Sequence, residues 1–415
     1  MLEKKEQKET MGITLCIMFS FYIFLSFFEV YIQRYLGPIN RYYMLLLVGV
    51  LLITCGFRIK LNIYNVFIIL WFAMKCLSLI WSDGSNNQEV SAHLASQIGI
   101  VLMITVLSGI DYNKRVLNWC ISSLLFFSFI YGVLSIPLSQ AYGGRMVGRQ
   151  VLTLFGAQND PNNNAAFLVF AVSIALYSIV YERRCLFYNI VIILVNSYAI
   201  LLTGSRAGFL SIAFTMGVIL LVYPLRLKNN GKKNNVLLSC VFIISLAILL
   251  IYLCKDYLPS NIQERLLAFD EYEEGSGRAD KWENAMKLFY ENPILGKGWG
   301  GYVLEGINKG GVHNTFITNL CDTGIVGTIL LIIPIGYIVF DAISKKKILP
   351  IVILVDGVFF SLTLDAINKR FFWNALYIAI MLLNYYKAYS DPIYIWGEND
   401  EKPDEKKANC KYIRV

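Results

Sequence analysis

YNIVIILVNSYAILLTGSRAGFLSIAFTMGVILLVY, residues 188–223, is the segment of this chain that predicts its architecture most directly. It consists of two apolar runs, 188–204 and 207–223, and Arg206 in the turn between them is its single charged residue. Each run comes close to the length of about 20 apolar residues that a helix needs to cross a bilayer core. The stretch therefore predicts two membrane-spanning helices joined by a tight turn.

The same pattern recurs along the 415 residues, of which 56% are hydrophobic and only 16% are charged. Soluble domains carry about 25% charged residues, so a soluble globular protein is excluded. Aromatic and branched aliphatic residues throughout the chain exclude disorder. We expect an all-α polytopic membrane protein with about twelve transmembrane helices, at 11–32, 41–57, 61–81, 94–110, 116–138, 164–181, 188–204, 207–223, 236–253, 323–341, 348–366 and 371–389.

Lys and Arg in the short loops predict the orientation, because loops rich in these residues face the cytoplasm. The rule fits with both termini inside, and the external loop 82–93 then has no Lys or Arg. One long external loop, about 254–322, separates the ninth and tenth spans. We therefore expect a single integral membrane domain over 1–389 and a polar cytoplasmic tail over 390–415. The net charge of +8 follows from this rule and does not indicate a nucleic-acid partner.

Several cations lie on the external side, against the same rule. An external anion is the simplest reason for them, and snorkelling to lipid headgroups is the alternative. Arg206 lies close to the hydrocarbon boundary, where its guanidinium can bind two phosphate oxygens at once. Arg145 and Arg149, in YGGRMVGRQ, are candidates for guiding an acceptor glycan or a donor phosphate. The remaining external cations are Arg265, Arg278, Lys369 and Arg370.

The long external loop contains a predicted amphipathic helix. From Arg278, apolar residues recur at helical spacing as far as Asn292 and Pro293. The N-terminus of a helix attracts anions, and Arg278 at that end would add to the attraction. Gly296 and Gly298 superficially resemble a nucleotide-binding loop, but they follow a helix and a proline instead of a strand. We therefore reject nucleotide binding for this segment.

Metal and cofactor chemistry find little support in the sequence. The chain has two histidines, and its nine cysteines form no CxxC pair, so neither a zinc site nor a cofactor is expected. His313 is a candidate for proton transfer because histidine titrates near neutral pH, with an ordinary loop residue as the alternative. We interpret His93 as such a loop residue. Lys75 and Asp356 fall within spans, and we expect each of them to belong to an ion pair inside the bundle, with a functional role as the alternative.

Three ordered motifs resemble those of a known family. They are LTGSRAG around Arg206, R-x-x-x-W followed by N-P-x-x-G-x-G from Arg278, and H-N-x9-G-x-x-G from His313. Their order and spacing are similar to those of the O-antigen ligases and Wzy-like O-antigen polymerases of bacterial surface-polysaccharide assembly. The clear match covers about 200–330, and QNDPNNNAA at 158–166 resembles a further segment of the family more loosely.

This resemblance implies a metal-independent, GT-C-type membrane glycosyltransferase that uses a glycan on undecaprenyl diphosphate as its donor. It would act at the outer face of the bacterial cytoplasmic membrane. By position, Arg206 and Arg278 would hold the diphosphate, and His313 would activate the acceptor hydroxyl. The chemistry agrees, because two arginines can neutralise a diphosphate leaving group and one base then suffices for a one-step displacement. Candidate accessory residues are Arg145, Arg149, Asn314 and Asp356.

Three functions fit these features. The first is a polymerase that joins lipid-linked repeat units into O-antigen, capsule or exopolysaccharide, because the Lys-, Asn-, Ile- and Tyr-rich composition is typical of AT-rich polysaccharide gene clusters. The second is a ligase that transfers finished glycan to lipid A core or another acceptor. The third is a transporter or flippase, whose two-fold internal repeat is not visible in this sequence. The expected partners are the lipid-linked donor, a glycan acceptor, the bilayer and a chain-length regulator.

Overall fold

The computed structural model describes residues 2–82, 88–143, 149–226, 278–304, 311–389 and 393–395. Most of these residues are helical, as the apolar runs predict. A 3-10 turn continues α3 and a π-helical turn continues α6. In the described parts of the chain the helices are α1 (Leu2–Leu36), α2 (Ile39–Thr54), α3 (Ile63–Leu77), α4 (Gln88–Ser108), α5 (Lys114–Leu138), α6 (Pro161–Tyr177), α7 (Leu186–Thr203), α8 (Arg206–Arg226), α9 (Arg278–Glu291), α10 (Gly301–Leu304), α11 (Thr315–Ser344), α12 (Leu349–Ser361) and α13 (Arg370–Ala388).

The protein is an integral membrane protein by the length and composition of its helices. Six described helices are long and apolar enough to cross a bilayer, and four shorter apolar helices accompany them. The predicted ninth span, 236–253, and most of the long external loop lie outside the described residues, so the count of twelve spans stays a prediction. The six long helices are Gly12–Leu36, Ile63–Ile80, Lys114–Leu138, Pro161–Glu182, Leu186–Thr203 and Thr315–Ser344.

Helix α6 lies at the centre of the bundle. All of its residues are buried, and it packs against α5, α7, α8 and α12. The helix begins at Pro161, three residues before the predicted span, because the Asp160 side chain accepts hydrogen bonds from the free N–H groups of Asn162 and Asn163. The polar start of α6 therefore belongs to the helix, and it is buried among the ends of its neighbours.

A small antiparallel sheet between α5 and α6 corrects the all-α prediction in one place. Its strands are β1 (Ser139–Ala141), β2 (Gln150–Leu154) and β3 (Ala157–Gln158), in the order β1-β2-β3. Gln140 pairs with Val151, and both Val151 and the following Leu152 are buried. The strands are too short for the alternation that would predict them from sequence. The sheet leads the chain from the end of α5 back to the start of α6.

Helix α11 begins earlier than the predicted tenth span at 323–341. It starts at Thr315, and its backbone is interrupted at Gly324, where φ is 62° and ψ is −161°. The polar residues among 315–323 lower the local hydropathy, so hydropathy does not predict this first part of the helix. As a result, His313 lies directly before the start of the helix instead of in the middle of a loop.

Candidate functional site

The turn that carries Arg206 is as tight as the sequence predicts. α7 ends at Thr203, Gly204 adopts a left-handed conformation with φ of 58°, and Arg206 is the first residue of α8. A Cβ atom at Gly208 would lie 2.7 Å from the Ile200 side chain, so only glycine allows the two helices to approach this closely. Arg206 is thereby held at the N-terminus of α8, where the helix dipole adds to its positive charge.

Arg149 is buried beneath this turn. Only 3% of its surface is exposed; its Nε donates to the Thr203 carbonyl oxygen at 3.0 Å, and its Nη2 donates to Asn162 Oδ1 at 2.9 Å. Asn162 Oδ1 also accepts a hydrogen bond of 2.9 Å from the Ser205 hydroxyl. Arg149 therefore supports the turn from inside the protein. Arg145, its predicted companion, lies outside the described residues.

Helix α9 confirms the amphipathic helix predicted from Arg278, and it packs against the start of α11. The Trp282 indole nitrogen donates a 3.0 Å hydrogen bond to the backbone oxygen of Val312, the residue before His313. Further along α9, the carbonyl of Ala285 accepts a contact of 3.0 Å from the Cys321 thiol of α11. Since Arg278 lies one helical turn before Trp282, these contacts bring Arg278 and His313 to the same place.

The backbone fixes His313 firmly. Its φ of 58° lies in the left-handed region, which non-glycine residues adopt infrequently and which often marks a functional position. Asn314 caps α11 by accepting hydrogen bonds from the backbone of Phe316 and Ile317, and its Nδ2 donates to the Leu362 carbonyl at 3.1 Å. This accessory candidate therefore holds the helix start, and so the His313 backbone, against the segment that follows α12.

The charges around His313 favour a neutral imidazole. Burial lowers the pKa of His313 below its usual range, and the nearby cations Lys281 and Arg278 lower it further. The carboxylates of Asp160 and Asp365 act in the opposite direction. A neutral ring has a free nitrogen lone pair at neutral pH, so His313 can accept a proton.

Arg278 shares this environment. Burial lowers the pKa of the Arg278 guanidinium, and the carboxylate of Asp160 raises it again. The group stays charged because the pKa of arginine is far above neutral pH. Arg278, His313 and Asp160 thus form one electrostatic cluster. Arg206 is linked to it through its neighbour Ser205, which donates to Asn162, two residues after Asp160.

Comparison with known proteins finds a similarity to a known family in the same region. Residues 190–332 match the family model described as O-antigen ligase, and they contain Arg206, Arg278 and His313. Over these residues the chain is similar to the O-antigen ligase family. The resemblance predicted from the three motifs is thereby confirmed.

The chain is also similar to an uncharacterized protein of Haemophilus influenzae. The two are 26% identical over 200 residues, which is 41% of this chain and 49% of the relative. The matched part thus spans about half the length of that curated relative.

The Gly-rich segment that begins at Gly296 packs against the interruption in α11. A Cβ atom at Gly296, whose φ is 71°, would lie 2.6 Å from the backbone of Cys321 and Asp322. Lys297 N–H and Gly298 N–H donate to the carbonyls of Cys321 and Asp322 at 2.8 and 3.0 Å. The glycines therefore permit close backbone packing that joins α9 to α11.

Lys75 and Asp356 have different surroundings, and the expected ion pair forms only for Lys75. Lys75 Nζ lies 3.6 Å from the Asp322 carboxylate and 4.6 Å from the ring centroid of Trp299. Asp356 instead accepts hydrogen bonds from the hydroxyls of Ser173 at 2.8 Å and Thr215 at 3.2 Å. Among the described residues, the prediction of an ion pair for Asp356 is therefore wrong, because the groups that hydrogen-bond to its carboxylate there are hydroxyls.

Asp356 also lies away from the cluster. Ser173, its partner on α6, follows Pro161 by twelve residues, a distance of about 18 Å along the helix. Sequence reasoning missed Asp160 and Asp365, which do act on His313. The Asp-Pro start of α6 is a recognisable capping signal, but nothing local connects it to a histidine 153 positions later.

The described residues contain no group of three or more His, Cys, Asp or Glu side chains that could hold a metal ion. The polar groups of the site are arginines, a lysine, a histidine, hydrogen-bonded amides and the carboxylates of Asp160 and Asp365. Such a set matches a diphosphate together with a hydroxyl group that loses a proton.

Proposed function

We propose that this protein is a polymerase that joins undecaprenyl-diphosphate-linked oligosaccharide repeat units into a surface polysaccharide. It would be a metal-independent, GT-C-type glycosyltransferase of the bacterial cytoplasmic membrane. Both termini would be cytoplasmic, and the site would face the outside or periplasm. The observation that carries this proposal is the clustering of Arg278, His313 and Asp160 beside the turn that holds Arg206.

In the proposed reaction, His313 accepts the proton of an acceptor sugar hydroxyl. The hydroxyl oxygen attacks the anomeric carbon of the donor glycan, and the bond from that carbon to the phosphate oxygen breaks. Undecaprenyl diphosphate leaves with the electron pair, and Arg206 and Arg278 stabilise its negative charge. The burial of Arg278 strengthens this interaction, because a charge pair is stronger where water is scarce.

A ligase is the second candidate, and the description of the matching family model favours it. The same two arginines and the same base would serve both reactions, which differ in the acceptor. Gene deletion separates them. Single repeat units on the lipid or on the acceptor would indicate a polymerase, whereas long chains that accumulate on undecaprenyl diphosphate would indicate a ligase. A chain-length regulator is a partner of the polymerase alternative.

The chain's two histidines provide a matched test of the mechanism. In the deletion strain, His313→Ala should fail to restore polymer, while His93→Ala should restore it, since His93 is exposed and hydrogen-bonds to Asn368. Arg206→Lys should also impair synthesis, because lysine cannot form the two-pronged contact with a phosphate. Normal glycan length and amount with His313→Ala would refute the role of His313, and an unchanged pattern after gene deletion would favour a transporter.

A further inference from the structure

A cavity of about 780 Å³ lies between α1 and α5, away from the candidate site. Ser20 of α1 and Ser123 of α5 both line it, and their hydroxyls hydrogen-bond to each other at 2.7 Å. Most of its lining belongs to the first half of α5, which begins at Lys114. The chain leaves the other end of α5, about 36 Å away, for the small sheet and the start of α6. The cavity is therefore separate from the residues around His313.

The lining of the cavity changes from charged to apolar along α5. Lys114 and Arg115 lie at one end, Ser122 follows about two turns later, and Phe126 and Phe127 follow about one turn after that. Since α5 is long and apolar enough to cross a bilayer, its charged start lies at the membrane interface. Phe126 then lies about 18 Å further along the helix, within the hydrocarbon. A diacyl phospholipid has the same order of groups: a phosphate, then ester oxygens, then hydrocarbon.

The apolar part of the cavity opens to the bilayer. Phe126 is 55% exposed, and an exposed aromatic side chain in the middle of a spanning helix faces lipid. Phe127 faces α1 instead, where its ring centroid lies 5.5 Å from that of Phe24. An acyl chain can therefore enter the cavity from the side, along α5.

A segment close to the C-terminus forms another wall of the cavity. Ile395 lines it and is only 4% exposed. The Ser122 hydroxyl donates to the Ile395 carbonyl at 3.0 Å, and the Ile395 N–H donates to Glu182 Oε1 at 2.8 Å. This part of the predicted polar tail is therefore packed against the bundle.

The charge at the interfacial end of the cavity is positive. Lys114 Nζ and the Arg184 guanidinium lie 5.6 and 4.5 Å from the ring centroid of Tyr394, and Arg115 adds a third cation. Glu182 is the neighbouring carboxylate, and it already accepts the Ile395 N–H. An anionic group would complement this end of the cavity.

We propose that the cavity binds one anionic phospholipid, with its phosphate at Lys114 and Arg115 and an acyl chain along Phe126. The predicted orientation assigns this lipid to the cytoplasmic leaflet, where basic pockets between spanning helices bind anionic headgroups. An acidic peptide would match the cations but would leave the apolar wall uncovered. The inference does not depend on the proposed function.

The test is lipid binding by the full-length protein, purified in detergent and freed of lipid. Phosphatidylglycerol and phosphatidylcholine with the same acyl chains differ in net charge, and we expect a Kd at least tenfold lower for phosphatidylglycerol. Arg115→Gln should raise that Kd several-fold without unfolding the protein, because Arg115 is exposed. Arg58→Gln is the control, since Arg58 is exposed in the loop between α2 and α3 and should leave the Kd unchanged.

Equal affinity of the wild type for the two lipids would overturn the proposal. Equal Kd values for phosphatidylglycerol in Arg115→Gln and Arg58→Gln would overturn it as well.

A second variant tests the cavity apart from its charge. Asn118 lines the cavity, and its side-chain oxygen has no hydrogen-bonding partner among the described residues. Asn118→Phe should therefore fill part of the space at little cost in stability and raise the Kd for phosphatidylglycerol at least tenfold. Wild-type affinity in Asn118→Phe, or displacement of the lipid by inorganic phosphate, would show that the cations attract anions without the cavity and would refute the lipid site.

Discussion

The indole nitrogen of Trp282 lies 3.0 Å from the backbone oxygen of Val312, the residue that precedes His313. This hydrogen bond gives a physical reason for the R-x-x-x-W motif. The arginine and the tryptophan lie one turn apart on α9, so the tryptophan sets the position of the arginine relative to the histidine. The spacing of the motif therefore reflects how α9 packs against the start of α11, although the two helices are separate in the sequence.

Replacing Trp282 by Phe should reduce both stability and activity. Val312 is buried, and its carbonyl would lose its partner, which costs about 1–3 kcal/mol. We expect a lower unfolding temperature and a several-fold lower turnover, measured on purified protein with a lipid-linked donor. Trp119→Phe is the control, because Trp119 is largely exposed on α5. Wild-type turnover in Trp282→Phe would show that this hydrogen bond does not position His313.

The pH dependence of activity should follow the charges around His313. In the proposed mechanism His313 is the base and must be neutral to accept a proton, so we expect activity to fall as the pH drops through the pKa of His313. Lys281 lowers that pKa, and Lys281→Met should therefore move the acidic limb of the rate profile to higher pH. Asp160 raises it, and Asp160→Asn should move the limb to lower pH.

Lys287→Met is the control for these profiles, because Lys287 is exposed on the same helix and pairs with Glu283. Its profile should coincide with that of the wild type. Identical acidic limbs for all four proteins would argue that His313 is not the titrating base.

Gly324→Ala should destabilise the protein. A backbone with φ of 62° and ψ of −161° is accessible almost only to glycine. Forcing another residue into it lowers the free energy of unfolding by about 1–3 kcal/mol. The added methyl group would also collide with the carbonyl of Ile294. Gly336→Ala on the same helix meets nothing within 4 Å and should be neutral or stabilising by about 0.5–1 kcal/mol. Equal unfolding temperatures for the two variants would contradict this account.

The buried pair of Lys75 and Asp322 should depend on both of its members. Lys75→Met leaves a buried carboxylate without its cation, which costs about 3–5 kcal/mol. Adding Asp322→Asn should restore part of the loss, since the amide keeps an oxygen for the Gly300 N–H. Lys60→Met removes an exposed pair with Asp111 and should cost no more than about 1 kcal/mol. Thermal unfolding in detergent measures all four proteins.

Much of the fold could be predicted from the sequence because apolar length is a strong signal in membranes. Helices occur at each predicted span that the structure describes, and α9 begins and ends close to its predicted bounds. The small sheet and the early start of α11 could not be predicted in this way. Both consist of short or polar segments whose structure depends on the packing of distant helices.

The candidate site divides in the same way. Arg206, Arg278 and His313 stand out because their residue types are unusual in their surroundings, and the motif order links them. The burial of Arg149 could not be foreseen, since an arginine in a loop is ordinarily exposed. Nothing in the sequence shows that Arg149 lies against Thr203 and Asn162.

The break at Gly324 has a mechanical consequence. A continuous helix would transmit any change of tilt along its whole length, and spanning helices tilt to match the thickness of the bilayer. Residues 315–323 are instead held by α9 and by the segment after α12, through Cys321 and Thr315. A change of tilt in the remainder of α11 therefore need not move His313, and we expect the proposed reaction to depend little on acyl-chain length.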